Sequence, residues 1–150
     1  MLSQLTVRRI QKEMGMLQQD PIIGISAEPV DEKLDKWLGK FRGPEGSPYE
    51  NGEFKVSIIF GADYPCGPPK VRMITKVFHC NISVHGGICL DILKRNWSPA
   101  LTVQKLLLSL MSLLADPNPR HGLNQDAINM YLMDKKQYEK TAREWTEKYA

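Results

Sequence analysis

The stretch "NGEFKVSIIFG" (residues 51–61) decides the fold class, because it is the clearest strand in the chain. Its alternate residues are large and apolar: Phe54, Val56, Ile58 and Phe60. This period of two is typical of a β-strand with one buried face. Further strand-like pieces lie at residues 22–28, 36–43 and 70–75. The spacers are short, and Asn51-Gly52 is a strong hairpin signal, so the sequence predicts a four-stranded antiparallel meander.

Helices are predicted on both sides of these strands. An apolar stripe at spacings of three and four predicts a first helix that ends at Asp20-Pro21: Val7, Ile10, Met14 and Leu17. Residues 102–115 are apolar nearly all round, which predicts a buried helix. Two more helices are predicted at residues 124–133 and 138–149. This order of helix, four strands, long irregular segment and three helices predicts an α+β fold, and we expect residues 1–150 to form one domain.

The composition is typical of a globular protein and argues against nucleic-acid-binding, membrane-spanning and secreted classes. The 150 residues are 42% hydrophobic and 25% charged, and the net charge of +3 is too mild to argue for nucleic acid or membrane. The most apolar run, residues 106–115, is too short to span a bilayer. We see no basic leader followed by an apolar run, so we expect no signal peptide. Three cysteines at irregular spacing fit a reduced intracellular protein, and we expect a cytoplasmic or nuclear location.

The segment "HCNISVHGGICLDI" (residues 79–92) concentrates the candidate chemistry, with two of the three cysteines and two of the three histidines. One interpretation is that the cysteines are small core residues, which we favour for Cys66 and Cys80. A second is a metal site from His79, Cys80, His85 and Cys89. The metal site is the weaker of these two interpretations, because the closely spaced ligand pairs of known zinc sites are absent.

The third interpretation is a nucleophile at Cys89. A few per cent of an ordinary thiol is thiolate at neutral pH, which suffices when the electrophile is already activated. Gly86-Gly87 would let a bulky partner chain approach the backbone. Asn81 offers an amide donor that could stabilise an oxyanion. From these residues alone, a reactive thiol remains one of three interpretations.

Six motifs together resemble the ubiquitin-conjugating enzymes: "SPYENGEF", "DYPCGPPKV", "FHCNI", "GGICLDIL", "NWSPALTVQKLLLSLMSLLADPNP" and "AREWTEKY". The resemblance covers nearly the whole chain and is strongest to the compact, broadly acting subfamily that works with RING and HECT ligases. It implies an antiparallel sheet flanked by helices. It also implies that Cys89 accepts ubiquitin from the activating enzyme as a thioester and passes it to a substrate lysine or a ligase cysteine. We expect no metal or organic cofactor, and no glycine-rich loop that would bind ATP is present.

The resemblance assigns roles to the residues around Cys89. The implied catalytic residues are Cys89, Asn81, Asp91 and His121. Asn81 would support either the active-site loop or the oxyanion, and His79 would be a hydrogen-bonded structural residue of that loop. Cys80 stands where the family motif has proline, and His121 stands where an acidic residue often lies near the incoming lysine.

The resemblance also implies three binding surfaces. The ligase surface would comprise Arg8, Arg9, Lys12, Pro65, Cys66, Ser98, Pro99 and Ala100. Cys66 replaces the phenylalanine that usually anchors ligases there, and the basic residues could equally be a solvated helix face. Leu108 would pack on the donor ubiquitin or be a plain core leucine. Ser26 would bind a second ubiquitin without a covalent bond or be an ordinary exposed strand serine.

The expected partners are ubiquitin, its activating enzyme, RING or HECT ligases and substrate proteins, and not nucleic acid or membrane. Two other functions fit the same resemblance. The chain could conjugate a different ubiquitin-like modifier, or it could be a non-catalytic ubiquitin-binding scaffold, although such scaffolds typically lack the cysteine that is present at Cys89. A cysteine protease is more distant, because the signatures around a protease cysteine are absent.

Overall fold

The structure is a computed structural model that describes residues 2–150. The helices are α1 (Gln4–Gln19), α2 (Val103–Ala115), α3 (Gln125–Met133) and α4 (Lys135–Tyr149). The strands are β1 (Ile25–Pro29), β2 (Lys36–Arg42), β3 (Glu53–Ile59) and β4 (Lys70–Met73). Short 3-10 turns lie at Asp91–Leu93 and Pro119–His121. The predicted α+β order is confirmed.

The four strands form one sheet in the order β1-β2-β3-β4, and every neighbouring pair is antiparallel. This confirms the predicted meander. One face of the sheet carries the large apolar side chains: Trp37, Phe41, Phe54, Val56 and Ile58 are each at most 1% exposed. Alternation of side chains along each strand turns the intervening residues to the opposite face.

Helix α2 packs on the inner face of the sheet. Leu106, Leu107 and Leu110 are at most 1% exposed, as the nearly all-apolar sequence predicted. Gly39 on β2 permits the close approach, because a Cβ there would lie 2.8 Å from Val56 Cγ2 and 3.1 Å from Leu107 Cδ2. The side chains of Val56 and Leu107 therefore fill the space above Gly39 that a side chain at this position would need.

Polar side chains cap all four helices, and α4 begins three residues before its predicted start at residue 138. Ser3 Oγ accepts a hydrogen bond from the Thr6 amide (3.1 Å) at α1, and Thr102 Oγ1 accepts from the Lys105 amide (3.2 Å) at α2. Asn124 and Asp134 cap α3 and α4 in the same way. Each cap satisfies an amide that the first helical turn leaves without a partner.

Helix α1 buries two polar residues that its periodicity did not predict. Ile10 is fully buried as expected, but Thr6 and Glu13 are also at most 3% exposed. Thr6 Oγ1 donates to the Tyr64 carbonyl (2.7 Å), and Glu13 Oε1 accepts from the Val103 amide (2.7 Å). Burial of these polar groups is tolerated because each one is hydrogen-bonded.

The irregular parts of the chain are packed. Tyr64-Pro65 is a cis peptide bond, and the Tyr64 ring is buried. Residues 77–82, within the long segment between β4 and α2, are all buried. Across residues 2–150, no helix combines the length and the apolar character needed to cross a membrane.

Candidate active site

Cys89 lies at the end of a tightly closed loop. Its amide donates to the Asn81 carbonyl (2.9 Å), and Ile82 and Ile88 form a bridge beside it. The turn between them is closed by the Ser83 amide, which donates to the Gly87 carbonyl (2.8 Å). The Cys89 side chain is nonetheless half-exposed. The loop therefore fixes the backbone of Cys89, and the residue stays partly exposed to solvent.

Gly86 allows this loop to pack closely against β4. Its φ of +92° is the left-handed conformation that favours glycine, and a Cβ there would lie 2.4 Å from the Met73 carbonyl oxygen. The Met73 amide donates to the Gly86 carbonyl (2.9 Å), which ties the loop to β4. Gly86 is buried, so our expectation that it opens the backbone to a partner chain is wrong for this residue.

His79 is a structural residue of the loop. It is fully buried; its Nδ1 accepts from the Asn81 amide (3.0 Å) and its Nε2 donates to the Leu113 carbonyl at the end of α2 (2.8 Å). These partners fix the neutral tautomer with the proton on Nε2. Burial lowers the pKa of His79 to about 4, so the ring stays neutral. With both nitrogens engaged, His79 cannot act as a base for a reacting group.

The Asn81 side chain joins the loop to the turn before α3. Its Nδ2 donates to the carbonyls of Asn118 (2.8 Å) and His121 (3.0 Å), and its Oδ1 accepts from the Asn118 amide (2.8 Å). The residue is 1% exposed. Both amide hydrogens are therefore committed, and the contact holds the His121 backbone next to the active-site loop while the His121 side chain is exposed.

The other two cysteines occupy opposite environments. Cys80 is fully buried, and burial raises the pKa of its thiol. Its carbonyl accepts from the amides of Leu123 (2.7 Å) and Asn124 (3.2 Å), so it also fixes the segment that leads into α3. Cys66 is exposed. The interpretation of both as core residues is thus right for Cys80 and wrong for Cys66.

A shallow groove of about 390 Å³ begins one residue after Cys89. Its lining comes from the 90–92 turn and one side of α2: Leu90, Asp91, Ile92, Leu108, Ser109, Ser112, Leu113 and Asp116. Leu108 is 37% exposed, so it is not a plain core leucine. The Asp91 carboxylate accepts from the Ile92 amide (2.8 Å) and from Asn96 Nδ2 (2.9 Å), which stabilises the turn.

The structure brings together the three segments predicted as a ligase surface. Arg9 Nη2 on α1 donates to the Leu101 carbonyl (2.7 Å), and Trp97 Nε1 donates to the Pro65 carbonyl (2.8 Å). The exposed residues on these segments are Arg8, Lys12, Cys66, Ser98, Pro99 and Ala100, while Arg9 and Pro65 are half-buried. Arg9 is therefore held within the protein and is not part of a freely solvated face.

Glu13 organises this surface, a role that the sequence pattern did not predict. Its Oε2 accepts from the Tyr64 hydroxyl and from Arg9 Nε (3.1 Å), and its Oε1 accepts from the Val103 amide (2.7 Å). Burial and the Glu13 carboxylate raise the pKa of Tyr64. The available signal was a glutamate on the apolar stripe of α1, three residues after Ile10.

Two further predictions concern sites away from the loop. Ser26 is exposed on β1, on the sheet face opposite the buried one. Within residues 2–150, no three His, Cys, Asp or Glu side chains lie close enough together to hold a metal ion.

We expect His79 to make the fold sensitive to acid. Its folded pKa of about 4 lies below the reference of 6.5, so the unfolded chain binds the proton more readily. Its contribution is complete above pH 6.5 and is lost as the pH falls towards 4, by about 3 kcal/mol. Urea unfolding across this range measures it. His79→Gln should flatten the pH dependence, and the exposed His85→Gln should not; equal slopes in all three proteins would contradict the assignment.

Two comparisons with known proteins, one with family models and one with solved structures, identify the same family. A family model described as ubiquitin-conjugating enzyme matches residues 9–146. Among solved structures, the E2 domain of a ubiquitin-conjugating enzyme from Toxoplasma gondii superimposes with a TM-score of 0.90 at 42% sequence identity. That match covers 96% of this chain and 98% of the other. The chain therefore belongs to the ubiquitin-conjugating enzyme family.

Proposed function

We propose that this protein carries ubiquitin as a thioester on Cys89 and transfers it to a substrate lysine or to a ligase cysteine. The observation that carries the proposal is the position of Cys89: the residue is half-exposed on a fixed backbone, next to an open groove. The buried Cys80 cannot meet a protein substrate without unfolding its surroundings. Cys66 is exposed, but it lies on the surface that we assign to ligases.

The proposed reaction depends more on the positioning of the two reacting groups than on activation of the Cys89 thiol. The Cys89 thiolate attacks the carbonyl carbon of the ubiquitin thioester on the activating enzyme, and the activating enzyme's thiolate leaves. In the second step the neutral amine of a lysine attacks the new thioester, loses a proton to solvent or a nearby base, and the Cys89 thiolate leaves. Because a thioester is already reactive, holding the two partners in line supplies most of the rate. No cofactor enters either step.

The groove beside Cys89 suits the extended C-terminal tail of ubiquitin. A tail whose last carbonyl is bonded to Cys89 would run along the 90–92 turn and meet Leu108 on α2. Leu108 and Leu90 offer apolar contacts, and Ser109 and Ser112 offer hydroxyls to a peptide backbone. The groove thus supports the predicted contact of Leu108 with donor ubiquitin. Asp91 forms the groove wall, with its carboxylate engaged in the turn.

Asn81 and His121 are proposed to act together as one positioning unit. The Asn81 amide holds the 118–121 turn, and the exposed His121 side chain projects from that turn. An oxyanion role for Asn81 would require its Nδ2 to release both carbonyls, so the geometry favours the supporting role. His121 would then meet the incoming lysine from the position where a carboxylate is common in the family.

The ligase surface is proposed to be the exposed part of the three joined segments. Arg8 and Lys12 supply charge, and Ser98, Pro99 and Ala100 supply a small-residue turn. Arg9 contributes through its bonds to Glu13 and Leu101, which set the spacing between α1 and this turn. Cys66 leaves the centre of the surface without a large apolar anchor.

Charging with activating enzyme, ATP and ubiquitin tests the function directly. We expect Cys89 to form an adduct that thiol removes. Cys89→Ser should give an oxyester that survives thiol but not base, since an alkoxide is a poorer leaving group than a thiolate. Cys89→Ala should give no adduct, whereas the Cys66→Ala control should charge normally. Charging of Cys89→Ala would overturn the assignment, failure of the parent would favour the scaffold, and charging only with another modifier would favour that modifier.

Asn81→Ala should lower both stability and transfer. Loss of its hydrogen bonds should cost about 2–3 kcal/mol and lower Tm by roughly 5–10 °C. Discharge of the preformed thioester to free lysine should slow by about 10²-fold, more than charging does. The exposed Asn129→Ala on α3 is the control and should change neither. Slower discharge with an unchanged Tm would instead assign Asn81 to the oxyanion.

Cys66→Phe should strengthen binding to a RING ligase domain. A large apolar side chain at the centre of an interface often contributes ~2 kcal/mol or more, and cysteine supplies far less area, so we expect at least about tenfold tighter binding. Titration of a labelled RING domain measures the change. Cys66→Ser adds no area and should leave the affinity as in the parent. Unchanged or weaker binding by the Phe variant would show that this loop is not the anchor.

A further inference from the structure

A second cavity, of about 210 Å³, shares no lining residue with the groove beside Cys89. We call it the tyrosine pocket. Its lining comes from residues 45–49 between β2 and β3, from residues 114, 115 and 117 at the end of α2, and from residues 131, 135, 138 and 139 of α3 and α4. A drug-sized ligand usually needs about 300 Å³ or more, so the tyrosine pocket suits a single side chain.

The inner wall of the tyrosine pocket is aromatic and already hydrogen-bonded. Tyr49 and Tyr138 are at most 2% exposed. The Tyr49 hydroxyl donates to the Phe78 carbonyl (2.6 Å), so the Tyr138 hydroxyl donates to the Tyr49 oxygen (2.9 Å). Because these hydroxyls have partners within the protein, the wall offers a ligand apolar surface and no group that it must satisfy.

Two carboxylates of the tyrosine pocket have no cationic partner. Glu45 is exposed and Glu139 is half-buried, and both ion pairs found in residues 2–150 involve other residues. Lys135 and Arg143 lie four positions before and after Glu139 on α4, yet neither pairs with it. Helix α2 ends at the pocket and has no basic residue in its last turn, so the negative end of its dipole adds to this charge.

The Tyr131 ring indicates which ligand chemistry the pocket attracts. The Lys135 ammonium lies over this ring, 5.1 Å from its centroid, which is a cation–π contact. The ring is held by an edge-to-face contact with Tyr138 (5.1 Å between centroids). Lys135 itself is exposed, so its flexible side chain can be displaced. A cation from a partner would take its place and also reach the carboxylates that Lys135 leaves unpaired.

Other ligand classes fit the tyrosine pocket less well. An anion would be repelled by Glu45 and Glu139, and within residues 2–150 no three His, Cys, Asp or Glu side chains are grouped to hold a metal ion. Among organic cations, a planar guanidinium stacks on an aromatic ring and pairs with a carboxylate through two hydrogen bonds. An ammonium is more strongly hydrated and makes neither contact as well. The chemistry of the pocket therefore favours arginine over lysine.

We propose that the tyrosine pocket binds an arginine side chain of a partner protein. Its guanidinium would lie over Tyr131 in the place of the Lys135 ammonium and would pair with Glu139 and Glu45. Its methylene stem would pack against the aromatic wall. This site is separate from Cys89 and does not depend on the thioester chemistry. It also shares no residue with the surface that we assign to ligases.

The test titrates N-acetyl-arginine methylamide into the isotope-labelled full chain and follows the amide chemical shifts by NMR. We expect saturable shifts at residues 45–49, 114–115 and 131–139, with a Kd of about 1–10 mM for a probe of this size. Glu45→Gln/Glu139→Gln should weaken binding by about fivefold or more. Glu144→Gln/Glu147→Gln changes two exposed glutamates of α4 outside the pocket; this charge-matched control should bind like the parent.

Lys135→Gln provides a test of opposite sign. It removes both the ammonium that competes for Tyr131 and a like charge, so the probe should bind about two- to threefold more tightly. Lys140→Gln makes the same change of charge at another exposed residue of α4 and should leave the affinity as in the parent. Unchanged or weaker binding by Lys135→Gln would overturn the proposal, because the guanidinium would then not lie over Tyr131.

Controls on the probe test the selectivity for arginine. Equal binding of N-acetyl-lysine methylamide would overturn the proposal, because any cation would then suffice. Equal binding of the citrulline analogue, which is neutral and has nearly the same shape, would show that charge is not recognised and would overturn it as well. So would the absence of saturable shifts up to about 50 mM. Charging of Cys89, measured separately, should be unchanged in every variant, so failure here leaves the proposed function intact.

Discussion

The buried segment at residues 79–81 is the constraint on which the active-site region depends. His79 Nε2 bonds the end of α2, the Cys80 carbonyl bonds the start of α3, and the Asn81 side chain bonds the 118–121 turn. The Asn81 carbonyl then receives the Cys89 amide. Since all three residues are at most 1% exposed, every one of these polar groups would be costly to leave unpaired. The segment thus has one favourable arrangement, and it sets the backbone position of Cys89.

The fixed backbone bears on the proposed function, in which Cys89 would react as an ordinary thiol. The groove next to Cys89 is shallow, at about 390 Å³, and lacks the deep enclosure typical of small-molecule enzymes. In the proposed reaction the thioester would bring its own reactivity, so the protein would have to align it and leave room for a second macromolecule. A fixed backbone with a half-exposed side chain meets both needs. The contacts of Cys80 to Leu123 and Asn124 use its backbone carbonyl, a group that every residue has, so they do not depend on the cysteine side chain.

The sequence correctly predicted the features that depend on local residue patterns, namely the strands and helices. The alternation of Phe54, Val56 and Ile58 identified β3 and its buried face, and the spacing of apolar residues by three and four identified α1. It could not predict what depends on distant contacts. Cys66 and Cys80 are the same residue type with opposite exposure, which only the packing of the whole chain decides. The sequence motifs identified the position of the candidate site. The tautomer of His79 and the three hydrogen bonds of the Asn81 side chain could be determined only from the three-dimensional structure.

Glu13 and the exposed strand residues Lys36 and Lys55 show two ways in which one chain uses charge. Removing a carboxylate from water is costly unless cations and donors replace the water, so a buried Glu13 requires Arg9, Tyr64 and the Val103 amide around it. Its interactions are therefore internal, and they fix the shape of the surface assigned to ligases. Lys36 and Lys55 remain in water, where no such requirement applies. Buried charge thus determines geometry within the protein, whereas exposed charge stays available to a partner.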